Sequence, residues 1–226
     1  MSAPISVIIP TLNAVDTIGP TLACLYQGMG ESLICEIILT DGGSADQIDK
    51  VAQDIGAVLV KAPKGRGSQL QAGARIAKGR WLLFVHADTV LSDNWVTEIG
   101  AHLNNNSKAA YCKLAFDTHG KAPRLIAFLA NFRAKLFDLP YGDQTLLISQ
   151  KLYKSSGGYL DIPLMEDVAF ARQLRGQLEA LPIIATTRSD RYIKDGWFNR
   201  ASKNLGTLAL YFMGAEPEKL ARRYRR

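Results

Sequence analysis

The sequence predicts an α/β domain: a mostly parallel sheet with helices packed on its faces. Two observations carry this. Four short apolar runs of β-type composition alternate with helical stretches over the first ninety or so residues, and each run is closed at its carboxyl end by a polar or glycine-bearing loop. A third is negative: no repeat, low-complexity segment or linker divides the 226 residues, so one domain is expected over 1–226.

Residues 5–9 form the first continuous apolar run, as a parallel strand buried on both faces requires. A helix is expected over 13–27, where Ile18, Leu22 and Leu25 recur at helical spacing and Asn13 or Asp16 can cap it. Residues 34–40 give the second strand, ending in Asp41-Gly42-Gly43-Ser44, and Ser44 with Gln47 spells a capping box. The third strand is 57–61. A second capping-box pattern, Ser68 with Gln71, opens a helix expected to end with Gly79 at its C′ position. The fourth strand, 81–85, runs into His86-Ala87-Asp88. Strand–helix alternation of this kind implies right-handed crossovers, and ligands of such sheets bind at the carboxyl ends of the strands. Residues 1–103 therefore read as a regular first half, with ligand-facing loops on one rim, and 104–226 as a second half.

That second half is less regular. Asn104-Asn105-Asn106 reads as a loop and 111–116 as a strand. Pro123 sits in the first turn of a helix reaching about residue 137. A short strand at 146–149, helices at 165–175 and 197–213, and a basic helix opened by Pro217 complete the chain.

Composition narrows the class. With 47% hydrophobic and 21% charged residues the chain is an ordinary globular one. Cys24, Cys35 and Cys112 are scattered and odd in number, so neither a disulfide framework nor a zinc site is expected. The opening MSAPISVIIPT has no basic region before a long apolar stretch, so no secretory signal is expected. The apolar stretches at 125–132 and 205–213 fall short of the about 20 residues that span a bilayer. A cytoplasmic protein is expected. Arg222, Arg223, Arg225 and Arg226 contribute to the net charge of +6. They form either a solvated helix end or a basic tail that touches the inner face of the membrane. Aromatic and basic residues do not interleave as in single-strand binders, and no nucleic acid is expected.

Several chemistries are excluded by motif. Gly65-Arg66-Gly67 has the first glycines of a dinucleotide fingerprint, but Leu70 stands in place of the third and the motif follows the wrong strand. There is no phosphate loop of the GxxxxGK[ST] type and no GxSxG elbow. Other motifs keep two readings each. Asp41 is a turn residue or a carboxylate facing a nucleoside. Lys64-Gly65-Arg66-Gly67 is a solvated loop or a diphosphate cradle supplied by Arg66 and backbone N–H groups. Asp88 caps a helix or ligates a divalent cation. Glu166-Asp167 is an ordinary acidic first helical turn or contains a general base.

In their order along the chain these segments resemble the family 2 glycosyltransferases. SVIIPTLN at 6–13 is similar to the family's first strand, EIILTDGGS at 36–44 to its base-binding aspartate segment, and FVHADT at 84–89 to its DxD-type metal motif. GGYLDIPLMED at 157–167 is similar to its acceptor segment with the catalytic acidic pair. A narrower likeness, through APKGRGSQLQAGA, YGDQ, DIPLMED and MGAEPEKLARRY, is to a bacterial subgroup described as arsenosugar-biosynthesis-associated glycosyltransferases. The resemblance implies the GT-A fold, with 1–103 as the nucleotide-sugar-binding half and 104–226 as the acceptor half, and inverting transfer of a sugar from a UDP- or GDP-linked donor to an acceptor hydroxyl. Pro10, Thr11, Asn13 and Asp41 are then expected at the nucleoside and Arg66 at the diphosphate or ribose. Asp88, with His86, is expected at Mg²⁺ or Mn²⁺, Asp167 as base, and Glu166 as the residue that orients that base or the acceptor. Asp143 and Gln144 are candidate acceptor contacts, and Arg191 beside Tyr192 a diphosphate contact. The chain departs from the family pattern in two places: His86 replaces the first DxD aspartate, and Gln71 stands where asparagine is commoner. A nucleotidyltransferase or a non-catalytic nucleotide-binding protein are the alternatives. The first is expected to carry a basic glycine-rich loop after its first strand, where Pro10-Thr11-Leu12-Asn13 stands instead.

Overall fold

The computed structural model describes residues 3–105 and 107–225; Asn106 of the asparagine loop and Arg226 of the basic tail lie outside the described residues. The first half runs β1 (Ile5–Thr11), α1 (Val15–Gly30), β2 (Ile34–Asp41), α2 (Ile48–Asp54), β3 (Val58–Lys61), α3 (Arg66–Ile76) and β4 (Trp81–Phe84). There follow β5 (Thr89–Leu91), α4 (Trp95–Asn105), β6 (Ala109–Phe116), α5 (Lys121–Phe137), β7 (Leu146–Ser149) and α6 (Gln150–Ser155). The chain closes with α7 (Glu166–Gln173), β8 (Leu178–Thr187), α8 (Asp190–Asp195), α9 (Trp197–Phe212) and α10 (Pro217–Arg225).

One eight-stranded sheet, in the order β3-β2-β1-β4-β7-β6-β8-β5, crosses both halves. Strands β1 to β4 pair in parallel. Strand β7 turns antiparallel to β4 and β6, so the second half is mixed and not simply a continuation of the parallel part. Neighbouring residues of β1 face opposite cores: Val7 and Ile9 pack with α1, α2 and α4, while Ile8 packs with α3 and α7, and all three are fully buried. This two-sided burial is why Val7, Ile8 and Ile9 read as an unbroken apolar run. Strand β1 extends past the predicted residue 9, because Pro10 and Thr11 continue in register with Thr40 and Asp41.

Several local expectations are corrected. Neither capping box forms. Ser44 donates its hydroxyl to Asp41, and Ser68 donates to the carbonyls of Pro63 and Gly65; the helices start instead after Gln47 and Gly65. Helix α1 starts after Ala14 with no side-chain cap. Gly79 does not end α3. It lies where β1 passes, and a Cβ there would stand 2.4 Å from the Ser6 nitrogen, so the constraint is close backbone approach. Helix α4 continues through Asn104 and Asn105, which were expected in a loop. Strand β8 was not expected, since Pro182 interrupts its pattern. The structure accommodates that proline at a shift of register, where Tyr111 pairs with Ala180 and Lys113 with Ile184. Among the described residues, no helix is long and apolar enough to cross a membrane.

Candidate active site

Strand order reverses around β1, which has β2 on one side and β4 on the other. The carboxyl ends of these strands open there into loops, the position at which α/β sheets bind ligands. The β1 and β2 ends are tied together. Gly42 donates its N–H to the Thr11 carbonyl at 2.9 Å, and the buried Gln69 amide donates to the carbonyls of Thr11 (2.7 Å) and Thr40 (2.6 Å). Asn13, at φ 51°, receives the Ala45 N–H on its side-chain oxygen at 2.8 Å, while its own N–H donates to Ser44. The Asp41 carboxylate accepts the N–H groups of Gly43 and Ser44. Thr11 is only 1% exposed and Asp41 5%, so both shape the rim from below, while Leu12 and Asn13 form its exposed lip.

Opposite this rim, segments about a hundred residues apart meet. Arg66, the first residue of α3, lies 3.3 Å from the carboxylate of Glu166, the first residue of α7, and its guanidinium contacts His86 Nε2 at 3.3 Å. The Glu166 side chain is 4% exposed and that of Arg66 39%. Burial works against the Arg66 charge, but the carboxylates of Glu166, Asp167 and Asp143 more than offset it and its pKa is raised. His86 is held neutral: burial, then the charges of Arg66 and Arg191, push its pKa down to about 3. Gly142 packs on this imidazole, since a Cβ there would stand 2.6 Å from Nε2. Its N–H donates to Asp167 Oδ2 at 2.9 Å, and the Val168 N–H donates to Oδ1 at 2.7 Å. Asp167 is half-buried and so reachable from the cleft, unlike Glu166.

Asp143 belongs to the same cluster. Burial lifts its carboxyl to about 6; Asp167 and Asp88 add to the push, while Arg133 and Arg66 oppose it. Its Oδ1 is buried without a hydrogen-bond partner. Gln144 departs from its expected place at the acceptor. It is fully buried, its amide donating to the Cys112 carbonyl and to Asn131 and its oxygen facing Arg133 and the Tyr141 N–H, so it pins the turn that presents Asp143. Backbone strain collects here too. Thr145 and Met165, at φ 55° and 69°, directly flank the Asp143 turn and the Glu166–Asp167 pair. Such conformations persist only where surrounding structure enforces them.

The C-terminal helices close the remaining side. Arg191 is exposed, and its charge acts on both His86 and Asp88. Tyr192 stacks on Trp197 at 5.0 Å and bonds Asn204. Tyr224 of α10, which sequence reasoning missed, bonds Arg200 and Asn204 and lies close enough to Arg66, Arg191 and Asp167 to interact electrostatically with each. Gln69 was missed as well, because a glutamine inside a helix carries no local signal of two carbonyls above it. Gln71 ties α3 to the Tyr159 carbonyl.

The residues present fit a divalent cation of the oxygen-seeking kind. Asp88 has its pKa raised chiefly by burial, a cost that a cation would relieve, and the unpartnered Asp143 oxygen stands in the same cluster. Among the described residues, no three His, Cys, Asp or Glu side chains gather as a metal cage. The arrangement is therefore of the type in which one or two carboxylates and substrate phosphates share the ion. A concavity of about 580 Å³ lies elsewhere: Pro4, Arg80, Trp81 and Ser149 line it at the opposite edge of β1, β4 and β7.

The model of the family described as Glycosyl transferase family 2 matches residues 6–139. None of the curated protein sequences matches the chain. Among solved structures, S. aureus TarS 1-349 in complex with UDP-GlcNAc is similar, with a TM-score of 0.61 and 18% identity over 82% of this chain and 59% of that one. Glucosyl-3-phosphoglycerate synthase from Mycobacterium tuberculosis, in complex with Mn²⁺, UDP and glucosyl-3-phosphoglycerate, is similar with a TM-score of 0.58 and 18% identity over 82% and 70%. The same synthase with Mg²⁺ and UDP gives 0.59 and 17%. At such identities the likeness concerns the fold, and the chain spans little more than half of the TarS fragment.

Proposed function

The chain belongs to glycosyl transferase family 2 and has the GT-A fold, and from this premise we propose that it is a metal-dependent, inverting glycosyltransferase acting on a nucleoside-diphosphate sugar and an acceptor hydroxyl. The observation that carries the proposal is the meeting of Arg66, His86, Asp143, Glu166 and Asp167, from four separate loops, beside Asp88 at the β1–β4 switch point. Membership in the family sets aside the nucleotidyltransferase alternative.

The rim built by Pro10, Thr11 and Asn13, with the Asp41 turn, holds the nucleoside of a UDP- or GDP-linked donor. Arg66 reaches the diphosphate, and Glu166 holds Arg66 in place through their ion pair. Arg191, exposed at the mouth, adds a second cation toward the same phosphates. Mg²⁺ or Mn²⁺, bound by Asp88 with His86 beside it, would offset charge on the departing nucleoside diphosphate. Asp167 takes the proton of the acceptor hydroxyl while that oxygen bonds to the anomeric carbon. The bond to the diphosphate breaks on the opposite face, which inverts the centre. Asp143, half-buried beside Asp167, lies on the acceptor side and contacts the acceptor. The narrower subgroup is part of the proposal. It is supported by YGDQ, DIPLMED and MGAEPEKLARRY contributing Asp143, the acidic pair and Tyr224 to one cluster.

The test is release of nucleoside diphosphate from a panel of UDP- and GDP-sugars with Mn²⁺, Mg²⁺ or chelator, with the product's anomeric configuration read by NMR. Release from one donor, stopped by chelator and giving an inverted product, supports the proposal. Retention of configuration, or no release from any donor, sinks it.

A further inference from the structure

Helix α5 exposes Leu125, Phe128, Leu129, Phe132 and Leu136 by 46, 63, 52, 54 and 59%. At about 100° per residue these five fall within one arc of about 100°. Pro123, Ile126 and Ala134 of the same helix already fill the core, so the outward stripe is surplus to folding. Scattered apolar residues need no explanation, but a continuous helical stripe does. The neighbouring helix α9 repeats the pattern, with Phe198, Leu205 and Phe212 spaced seven apart and exposed by 65, 66 and 48%, and with Met213 just beyond at 74%.

Charge identifies what covers this face. Lys121, Arg124, Arg133 and Lys135 lie on α5 and Arg200 and Lys203 on α9, and neither helix contains an Asp or Glu. Arg133 and Arg200 are used internally, by Leu139 and Gln144 and by Asp195 and Tyr224. Lys121, Arg124 and Lys135 remain exposed along the stripe. A second copy of the chain would bring these cations against their own kind, on a molecule of net charge +6. An anionic bilayer satisfies both the apolar stripe and the cations beside it. We propose that α5, with α9, docks this protein peripherally on an anionic lipid surface. The basic helix α10 is a weaker candidate, because it buries its apolar Leu220 and Ala221 and offers mainly charge. Through Arg133, whose guanidinium lies 3.4 Å over the Tyr141 ring, α5 is one side chain from the turn that carries Asp143. Docking therefore places the acceptor side of the cleft near the lipid.

The test is flotation of the full chain with vesicles of phosphatidylcholine, with and without phosphatidylglycerol. Binding is expected on the anionic vesicles alone and weakens with salt. The double substitution Phe128→Ser, Phe132→Ser, both at exposed positions, is expected to lower it at least about tenfold. Lys121→Gln and Lys135→Gln each lower it about fivefold. Circular dichroism and the melting point of these variants stay near those of the parent. Absence of binding to anionic vesicles overturns the proposal, as does binding indifferent to the Phe128 and Phe132 changes. A concentration-dependent dimer that the same changes abolish, without lipid binding, assigns the face to a second copy and overturns it too.

Discussion

Replacing Asp167 by asparagine separates proton transfer from folding. The side chain keeps its size at the start of α7 but has one acceptor oxygen for two donors, the N–H of Gly142 at 2.9 Å and that of Val168 at 2.7 Å. One of them must then face an NH₂ group. Losing a hydrogen bond to a charged acceptor costs about 1.5–3 kcal/mol. Asp167 is only half-buried, so water recovers part of this, and about 1–2 kcal/mol is the reasonable figure. In a chain of this size the melting point falls by about 2–8 °C. The rate effect is larger: a general base contributes about 10²–10⁴-fold, which is about 3–5 kcal/mol of barrier. A domain with about 5–15 kcal/mol of stability remains folded after the smaller loss, so the two effects can be read on one preparation. Nucleoside diphosphate release gives the rate, and the melting shift caused by nucleotide reports whether the donor site is intact. An unchanged nucleotide shift with at least about a hundredfold slower release is expected. Turnover within about threefold of the parent would refute the assignment of Asp167 as base.

Other substitutions probe the supports of the site. Glu166→Gln leaves Arg66 without its carboxylate. Because Arg66 is partly exposed, the cost is about 1–2 kcal/mol, seen as a lower urea midpoint, and nucleotide binds more weakly; unaltered affinity would show that Arg66 needs no holding. Asp143 gives a pH signature. Its folded pKa of about 6 stands above the ordinary 3.8, so its favourable contribution is complete below about pH 4 and is lost as pH rises through about 6. Asp143→Asn should therefore gain on the parent by on the order of 2–3 kcal/mol between about pH 4 and pH 7, and a difference constant across that window contradicts it. Gly67→Ala would set a Cβ 2.1 Å from the Leu160 carbonyl oxygen, a contact that only backbone movement relieves. A loss of about 1–3 kcal/mol is expected in chemical denaturation, with a smaller nucleotide shift as the α3 start moves away; an undisturbed melting curve would mean that the 160–162 segment gives freely.

The first half was legible because two-sided burial leaves a local trace. Val7, Ile8 and Ile9 are all sealed, and a strand sealed on both faces is an apolar run in the sequence. The positions of Asp41, Arg66 and Asp88 followed, since each sits where such a run ends. Helix starts were less legible: Ser44 and Ser68 have the spacing of capping boxes, yet their hydroxyls are spent within turns, a choice that only the packed loop decides. Strand β8 was hidden by Pro182, which a bulge accommodates. Gln69 and Tyr224 were illegible for another reason. The first works through strand-end carbonyls beneath its helix, and the second through a C-terminal helix folded back to Arg66. Both are facts of tertiary arrangement.

The proposed activity requires a nucleotide held together with a divalent cation beside Asp88. Thermal denaturation with UDP, GDP, CMP and ADP, each with and without Mn²⁺, addresses that directly. A ligand at 100 times its Kd adds about 2.7 kcal/mol, or about 5–10 °C for a chain of this size. A rise of that order with one nucleoside diphosphate, dependent on Mn²⁺ and reduced by Asp88→Asn, is the expected result. No rise with any nucleotide, or a rise indifferent to both Mn²⁺ and Asp88→Asn, would contradict the reading of this site.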